Sequence, residues 1–249
     1  MPTATLAEPP SVDDPLGADS LGIDPSRLDD LSAEALMEWA DHRFGDGLVM
    51  TTSFGIQAAV TLHLATRVRP NLPVVWIDTG YLPEETYRYA DQLTNRLGLN
   101  LNLYQAEMSP AAMEARFGRL WETGLVEDLD LYDWVRKVEP LRRAMDDLQP
   151  TGWITGLRAD QTDFRRTLQR VAWDGTRHKL MPILRWSQRD VYEYMTRHDL
   201  PQHPLWEKGY TTVGDWHSSR AATADDTDDR STRFGGLKQE CGIHLPGAA

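Results

Sequence analysis

Cysteine is the scarcest residue of this 249-residue chain, which contains only Cys241. A single cysteine excludes an intrachain disulfide, a cysteine-based zinc site and an iron–sulfur cluster held by four cysteines of one chain. The sequence also lacks any run of about 18 apolar residues, the length that a membrane-spanning helix needs. Residues 1–15 lack the basic flank and apolar stretch of a secretory signal. We therefore expect a cytoplasmic protein with no bound cofactor, metal or membrane partner.

Positive charge is scarce as well, because 26 Lys and Arg face 38 Asp and Glu, for a formal net charge of −12. Nucleic acids and anionic membranes repel such a protein, so we expect no nucleic-acid partner. Within residues 158–179 the balance reverses. The basic residues of this segment are Arg158, Arg165, Arg166, Arg170, Arg177 and Lys179. Such a cluster suits a small, highly charged anion, and a solvated, salt-bridged surface is the alternative.

Short apolar segments alternate with segments of helical periodicity. Strands are predicted at residues 48–52, 74–77, 99–104 and 153–156, and a hairpin turn at 174–175 joins two more, 168–173 and 177–183. Helices are predicted to begin near Ser32, Gln57, Pro83, Pro110, Pro140 and Gln188. Ser187 and Asp190 fit a capping box at the last helix. The alternation predicts an α/β fold with a mainly parallel central sheet and helices on both faces.

Three regions follow from composition. Residues 1–24 are rich in Pro, Asp, Ser and Gly without periodicity and are predicted to form a mobile tail. Residues 25–217 form the predicted nucleotide-binding α/β domain. Residues 218–249 are predicted to be a flexible linker, self-repelling through clustered aspartates, followed by a C-terminal tail that carries Cys241.

In a sheet of this kind, ligands bind at the carboxyl ends of the strands. The turn after the first predicted strand contains Ser53, Gly55 and Gln57 and opens a helix. Backbone N–H groups in such a turn suit a phosphate or sulfate. Many turns of this composition bind nothing, so this motif alone is a weak indication of a ligand site.

Two further groups of candidate residues follow other strands. Asp78 and Gly80 come after the second strand, where an aspartate either contacts a ribose or base or caps the next loop. Arg158, Arg165 and Arg166 come after the fourth strand. Arginine recognises phosphate through two parallel hydrogen bonds, which favours an anion site at this edge.

Cys241 stands between polar residues, Glu240 and Gly242, so burial of its thiol is not expected. An exposed thiol is a liability unless it is used, which favours a nucleophile over a structural cysteine. Nearby arginines favour the thiolate and Glu240 opposes it, so the pKa of Cys241 stays open. His244 is a candidate to orient or deprotonate the thiol, with simple solvation as the alternative.

Together these elements resemble the family of 3′-phosphoadenylyl sulfate (PAPS) reductases, adenine-nucleotide α-hydrolase-like enzymes, from about residue 47 to residue 244. Each motif is modest alone, but their order and spacing are specific. The segments are 53–55 (Ser-Phe-Gly), 76–81 (Trp-Ile-Asp-Thr-Gly-Tyr) with 83–86 (Pro-Glu-Glu-Thr), 136–141 (Arg-Lys-Val-Glu-Pro-Leu), 155–158 (Thr-Gly-Leu-Arg) with Gln161 and Arg165, and 235–244, which contains Glu-Cys-Gly-Ile-His.

The chain departs from two related groups. ATP pyrophosphatases have a phosphate loop resembling Ser-Gly-Gly-x-Asp-Ser, whereas Phe54 and Gln57 occupy its first Gly and its Asp here. Adenylyl-sulfate (APS) reductases carry a cysteine pair before the Arg-Lys-Val segment and a Cys-x-x-Cys later. Residues 132–134 and 214–218 contain no cysteine here. The resemblance therefore implies the class without a cluster, which is typically PAPS-specific.

The resemblance implies that Cys241 attacks the sulfuryl sulfur, releasing adenosine 3′,5′-bisphosphate and leaving a cysteine S-sulfonate that yields sulfite in assimilatory sulfate reduction. It implies substrate contacts for Ser53, Gly55 and Gln57 with the phosphosulfate, for Lys137, Arg158, Arg165 and Arg166 with the leaving-group charge, and for Asp78 and Gly80 with the nucleoside. One cysteine cannot form a resolving disulfide, so a dithiol protein such as thioredoxin or glutaredoxin must supply the electrons. A homodimer is expected because it is the commonest oligomer.

Two alternatives stay open at this point. An APS reductase without a cluster would use the same chemistry and turn over APS faster than PAPS. A nucleotidyltransferase or a plain nucleotide-binding module of the same fold would leave Cys241 idle, so that Cys241→Ser would keep all activity.

Overall fold

A computed structural model describes residues 25–226, 231–238, 240 and 242–244. The centre of this part of the chain is a six-stranded sheet, and the predicted tail of residues 1–24 lies outside the described residues. The strands are β1 (Leu48–Thr52), β2 (Pro73–Asp78), β3 (Asn100–Gln105), β4 (Gly152–Ile154), β5 (Val171–Trp173) and β6 (His178–Leu180). Their order across the sheet is β3-β2-β1-β4-β6-β5.

The sheet is parallel except for β5, which pairs with β6 in the antiparallel sense. This confirms the predicted mainly parallel sheet. From β1 the chain moves outward to β2 and β3 and then returns to the opposite side of β1 as β4. Met50 of β1 consequently pairs with Val74 on one side and Ile154 on the other. Such a reversal of strand order opens a crevice at the carboxyl ends of the two central strands.

Helices fill the connections between the strands. They are α1 (Pro25–Asp29), α2 (Ala33–Phe44), α3 (Ala58–Val68), α4 (Glu84–Leu97), α5 (Pro110–Phe117), α6 (Val126–Asp133), α7 (Glu139–Leu148), α8 (Asp163–Arg166) and α9 (Gln188–Arg197). Ser32 and Ser109 cap α2 and α5, and Ser187 forms the predicted capping box with Asp190. None of the helices in the described residues is long and apolar enough to cross a membrane.

Alternate side chains of β1 enter two different cores. Leu48 and Met50 belong to the large cluster formed with α2, α3, α4 and α9. Val49 points to the opposite face, where it packs with Trp153 of β4 and Leu141 of α7. Because successive strand residues face opposite sides of a sheet, this alternation shows that helices cover both faces, as predicted.

The α-helix expected to begin at Pro140 begins one residue earlier, at Glu139, and continues directly from a preceding helical segment. A π-helical segment, Trp134–Val138, joins α6 to α7, and the backbone stays in the right-handed helical region at Asp133, Val138 and Glu139. A proline inside an α-helix removes one N–H donor, and its ring clashes with the carbonyl four residues back. A wider π turn just before Pro140 accommodates it. The helix start near Pro140 is therefore confirmed to within one residue. The helical run before it was not predicted, because a helix-starting proline and a π-preceded proline look alike locally.

The segment predicted to be a flexible linker is tied down in its described residues. Ser219 pairs with Arg233 in a β-bridge, and the Thr212 and Thr232 hydroxyls lie 3.2 Å apart in a buried contact. Asp226, expected to repel its neighbours, instead forms two hydrogen bonds with Arg220, over 2.6 and 2.7 Å. Part of the predicted repulsion is therefore neutralised by a nearby arginine. Residues 227–230 lie outside the described residues.

The hairpin strands are shorter than predicted, with three residues each in β5 and β6. The turn at residues 174–175 is present, and the Asp174 amide donates to the Arg177 carbonyl over 3.0 Å. The expected continuation to residue 183 fails because Pro182 has no N–H to donate to a neighbouring strand.

Candidate active site

A pocket of about 220 Å³ lies at the carboxyl ends of β1, β2 and β4, at the crevice created by the strand order. It collects residues from distant parts of the chain. Among the predicted site residues, those that line it are Ser53, Gly55, Gln57, Lys137, Arg165 and His244. The topology therefore brings six of the predicted residues to one place.

The turn between β1 and α3 forms one wall of the pocket, through Ser53, Gly55 and Gln57. The Ala58 amide, at the first residue of α3, donates to the Gly55 carbonyl over 3.0 Å, so the turn leads directly into the helix. The N-terminus of a helix carries partial positive charge and unpaired N–H groups. This wall therefore favours a phosphate or sulfate group.

Lys137 is the central cation of a buried network of charged side chains. Its Nζ lies 2.9 Å from Asp133 Oδ1 and 2.9 Å from Asp215 Oδ2. The Thr79 hydroxyl donates to the other Asp215 oxygen. Burial raises the pKa of the Asp215 carboxyl, but Lys137 and the Thr79 hydrogen bond outweigh it, so the pKa lies well below its ordinary value. The network holds the Lys137 ammonium between two carboxylates at the pocket, which Asp215 also lines.

Arg165 also lines the pocket and is bound to the C-terminal tail. Its Nε and Nη2 each donate to one oxygen of Glu240 over 2.8 Å, and its Nη1 donates to Gln161. The predicted phosphosulfate contact of Arg165 stays a prediction, because two of its three nitrogens are occupied by this carboxylate.

The tail crosses the pocket beyond Glu240. Ile243 packs against the cluster containing Val49 and Trp153, and both Ile243 and His244 line the pocket. The His244 ring stacks on Trp153 with centroids 5.9 Å apart, and Lys179 Nζ donates to the His244 carbonyl over 3.4 Å. Cys241 itself lies outside the described residues, so its role as nucleophile stays a prediction.

Arg233 is a pocket residue that sequence reasoning missed. It is 4% exposed, its Nη1 donates to the Ser219 hydroxyl over 2.7 Å, and its Nε has no hydrogen-bond partner among the described residues. A Cβ at Gly214 would lie 2.1 Å from its Nη1. The sequence shows only that an arginine stands shortly before the tail motif. The fold shows that Gly214 leaves the space that the Arg233 guanidinium occupies.

Asp78 and Gly80 are not among the residues that line the pocket. The Asp78 carboxylate accepts from the Gly80 amide over 2.8 Å and from Tyr87 and Gln105, each over 2.6 Å. Asp78 therefore organises the loop after β2, as the capping alternative described. The predicted nucleoside contacts of both residues stay predictions.

Arg158 and Arg166 are also absent from the pocket lining. Arg158 is fully buried and pairs with Asp160 at 3.0 Å, whereas Arg166 is exposed and pairs with Asp163. Consecutive residues of a helix point about 100° apart, and here Arg165 faces the pocket whereas Arg166 faces solvent. Their predicted contacts with the leaving group stay predictions.

The strand order and the pocket at its reversal define the chain as a nucleotide-binding α/β protein of the adenine-nucleotide α-hydrolase-like fold. A crystal structure of a PAPS reductase from Candida auris, a phosphate complex, matches with a TM-score of 0.70 and 27% identity, covering 83% of this chain and 98% of that one. An FMN adenylyltransferase from Candida glabrata shares the fold at a TM-score of 0.58 and 14% identity, covering 86% and 74%.

The sequence model of the phosphoadenosine phosphosulfate reductase domain matches residues 47–221. A phosphoadenosine 5′-phosphosulfate reductase from a Synechococcus species is 59% identical over 220 residues, which are 88% of this chain and 95% of the relative. One from Xanthomonas campestris is 48% identical over 241 residues, 97% of each chain. The chain belongs to the phosphoadenosine phosphosulfate reductase family, which confirms the predicted resemblance.

Proposed function

We propose that this protein reduces PAPS to sulfite and adenosine 3′,5′-bisphosphate. The observation that carries the proposal is the meeting of an anion-binding turn, two buried cations and the cysteine-bearing tail at one pocket. Relatives of 48% identity and more carry the name of this activity over nearly the whole chain. Sulfate assimilation is the setting that this reaction implies.

The anionic part of the substrate fits the wall formed by α3 and the two cations. Ser53 and Gln57 stand at the helix N-terminus, and Lys137 and Arg233 line the same pocket. These groups are positioned before the reaction, so they neutralise the charge that develops on the departing phosphate without reorganising. We assign them to the phosphosulfate group.

The reaction step belongs to Cys241. Its thiolate donates an electron pair to the sulfuryl sulfur, and the sulfur–oxygen bond to the phosphate breaks with its electron pair leaving on adenosine 3′,5′-bisphosphate. A cysteine S-sulfonate remains on the enzyme. His244, which lines the pocket three residues beyond Cys241, serves to orient or deprotonate the thiol.

Sulfite release requires two electrons from outside the chain, because Cys241 is the only cysteine. A thiolate of thioredoxin or glutaredoxin attacks the Cys241 sulfur, sulfite departs with the electron pair of the broken sulfur–sulfur bond, and a mixed disulfide forms. The second thiol of the donor resolves this disulfide, which returns Cys241 and leaves the donor oxidised.

The proposal is tested by intact-protein mass spectrometry of reduced enzyme mixed with PAPS, or with APS, without a thiol donor. We expect PAPS to add the mass of one sulfonate, Cys241→Ser to show no adduct, and reduced thioredoxin to remove it. Faster adduct formation with APS would keep the chemistry and change the substrate. No adduct with either nucleotide would contradict the proposal and favour a non-redox member of the fold.

A further inference from the structure

Glu240, the residue directly before Cys241, has its carboxylate buried against α8. Arg165 donates to both carboxylate oxygens over 2.8 Å, in the parallel geometry of a two-bond arginine–carboxylate pair. The Thr162 hydroxyl donates to the same Oε1 over 3.0 Å. Charge-assisted pairs of this geometry are the strongest that arginine makes with a carboxylate.

The partners of Glu240 are held by the domain rather than by the tail. Thr162 is the N-cap of α8, and its hydroxyl accepts from the Arg165 amide over 3.2 Å. Gln161 accepts from the third nitrogen of the Arg165 guanidinium. These three residues, Gln161, Thr162 and Arg165, form a cup that we call the Arg165 socket. The bonds among these three residues lie within one turn of chain and do not involve the tail.

The chain beyond Cys241 is anchored independently. A Cβ at Gly242 would lie 3.4 Å from Val138, so the backbone passes close to the π-helical segment. Ile243 packs in the cluster of Trp153, and Lys179 donates to the His244 carbonyl. Both covalent neighbours of Cys241 are therefore placed by contacts with the pocket walls.

Two roles for Glu240 are compatible with a carboxylate on an arginine at a pocket for anions. Glu240 could be a competing anion that substrate displaces, or it could be the anchor of the tail. To compete with substrate, Glu240 would need only to place its carboxylate on Arg165. Here the residues on both sides of Cys241 are also packed against the domain, which a competing anion does not require. Arg165 directs two nitrogens to Glu240 and the third to Gln161, and the chain beyond Cys241 is packed as well, so Glu240 is better placed to anchor than to compete.

We propose that Glu240 is a positioning residue, which locks into the Arg165 socket and holds the tail so that Cys241 meets the sulfuryl group. The proposal rests on the proposed function for its catalytic consequence, but not for the docking itself. The pair also neutralises the carboxylate beside the reacting thiol, which would otherwise disfavour a thiolate.

Docking is measured by alkylation of the full-length protein with iodoacetamide in the absence of substrate. The single cysteine makes the label specific for Cys241. Rates are taken on the plateau above the pKa of the thiol, so that changes in that pKa do not contribute. Glu240→Gln and Arg165→Gln should each raise the plateau rate about tenfold, and the double variant should rise no further.

The two single variants separate position from charge. A purely electrostatic effect on the thiol would move their alkylation rates in opposite directions, whereas loss of docking raises both. Glu139→Gln is the matched control, since Glu139 makes a similar two-bond pair with Arg143, over 3.0 and 3.3 Å, and does not line the pocket. Unchanged rates in Glu240→Gln, or equal increases in Glu139→Gln, would overturn the proposal.

Catalysis provides the second measurement. Glu240→Gln should slow S-sulfonate formation about tenfold in a single turnover with little change in the affinity for adenosine 3′,5′-bisphosphate. Tighter nucleotide binding in Glu240→Gln would instead identify Glu240 as a competing anion. If the wild-type chain formed no S-sulfonate, the proposed function would fail, while the alkylation rates would still decide whether the socket holds the tail.

Discussion

Phe54 adopts a φ of 47°, in the left-handed region that residues with a side chain rarely use. Its ring is nevertheless fully buried and meets Trp76 edge-on with centroids 4.9 Å apart. Such backbone strain costs about 1–3 kcal/mol. Burial of a phenylalanine side chain stabilises the fold by a similar amount, about 1.5–3 kcal/mol. Packing can therefore hold the turn in the conformation that directs Ser53 and Gly55 at the pocket.

Gly214 leads to a prediction about a single residue. A Cβ there would lie 2.1–2.5 Å from the guanidinium of Arg233, and the end of an arginine side chain moves more easily than backbone. We expect Gly214→Ala to displace Arg233 and raise the KM for PAPS about tenfold, with a loss of unfolding free energy below about 1 kcal/mol. Steady-state kinetics and urea denaturation measure the two quantities.

The control for this substitution is Gly47→Ala. A Cβ at Gly47 would lie 2.4 Å from the Thr151 hydroxyl, a comparable clash with a side chain that does not line the pocket. This variant should leave the KM for PAPS unchanged. An unchanged KM in Gly214→Ala would show that Arg233 does not contact the substrate.

Among the elements, the long helical run formed by α6, the π-helical segment and α7 positions the buried cations. Arg136 and Lys137 both lie in the π-helical segment, and both are buried. Arg136 donates to the Thr79 and Met108 carbonyls, while Lys137 lines the pocket. A π turn shifts the angular positions of side chains relative to an α-helix, so it determines which residues of this run face the pocket.

A second link between elements is the buried ring of His203, which joins the loop after α9 to α4. Its Nε2 lies 3.1 Å from the Thr86 hydroxyl, and its Nδ1 accepts from the Leu205 amide over 3.1 Å. Burial lowers the pKa of His203 to about 4, and burial likewise lowers the pKa of His217 to about 4. Both rings are therefore neutral in the folded protein at neutral pH.

Because of these two histidines, the folded protein should become less stable as the pH is lowered. Unfolded histidine has a pKa of about 6.5, so between about pH 6.5 and about pH 4 the unfolded chain binds more protons than the folded chain. The free energy of unfolding should be constant above this window and fall within it by up to about 1.4 kcal/mol per pH unit for each histidine. Urea denaturation over a pH series measures the slope.

His203→Gln should remove the contribution of one proton from this slope. His217→Gln should remove a similar contribution, because burial lowers the pKa of His217 to about 4 as well. An equal slope in His203→Gln and the wild type would show that His203 does not resist protonation on folding.

For the molecule as a whole, the formal net charge of −12 opposes the binding of an anionic nucleotide, whereas the pocket attracts it. The two effects act over different distances. The general repulsion is long-range and is screened beyond about 10 Å at moderate salt, whereas contacts with Lys137 and Arg233 act within a few ångströms. At close range, attraction by these cations should therefore dominate the affinity.

Salt titration distinguishes these effects. We expect the affinity for adenosine 3′,5′-bisphosphate, measured by isothermal titration calorimetry, to fall severalfold between about 0.05 M and about 0.5 M salt, because direct ion pairs weaken. An uncharged solute of similar size serves as a control for changes in water activity. A rising affinity would mean that the overall negative charge, rather than the pocket, determines binding.

Much of the fold was predictable because its signals are local. The bounds of β1 were predicted correctly, the helix expected near Ser32 begins with that serine as its N-cap, and the capping box at Ser187 is present. A serine that caps a helix bonds three residues onward, so the necessary information lies within one turn. Pro140 indicated the start of α7 to within one residue, but its local sequence did not reveal the π turn that precedes this helix.

The candidate site was predictable only in part. The turn at Ser53 and the arginine at position 165 were predicted from their positions after strands, whereas Lys137 was predicted only from the family resemblance; all three line the pocket. Arg233 was missed because it reaches the pocket from more than 150 residues beyond β2, through the opening that Gly214 leaves. Sequence patterns contain no direct measure of such long-range contacts.

The α/β class and the single cysteine could be read from the sequence, since they depend on composition and local periodicity. An external electron donor follows from the single cysteine only within the proposed function. The partners of each charge, in contrast, follow from the tertiary structure. Neighbouring Arg165 and Arg166 differ completely, one bound to Glu240 and the other exposed, because the helix turns them to different sides. Which charge meets which is settled by packing across the sheet, where residues far apart in the chain come within a few ångströms.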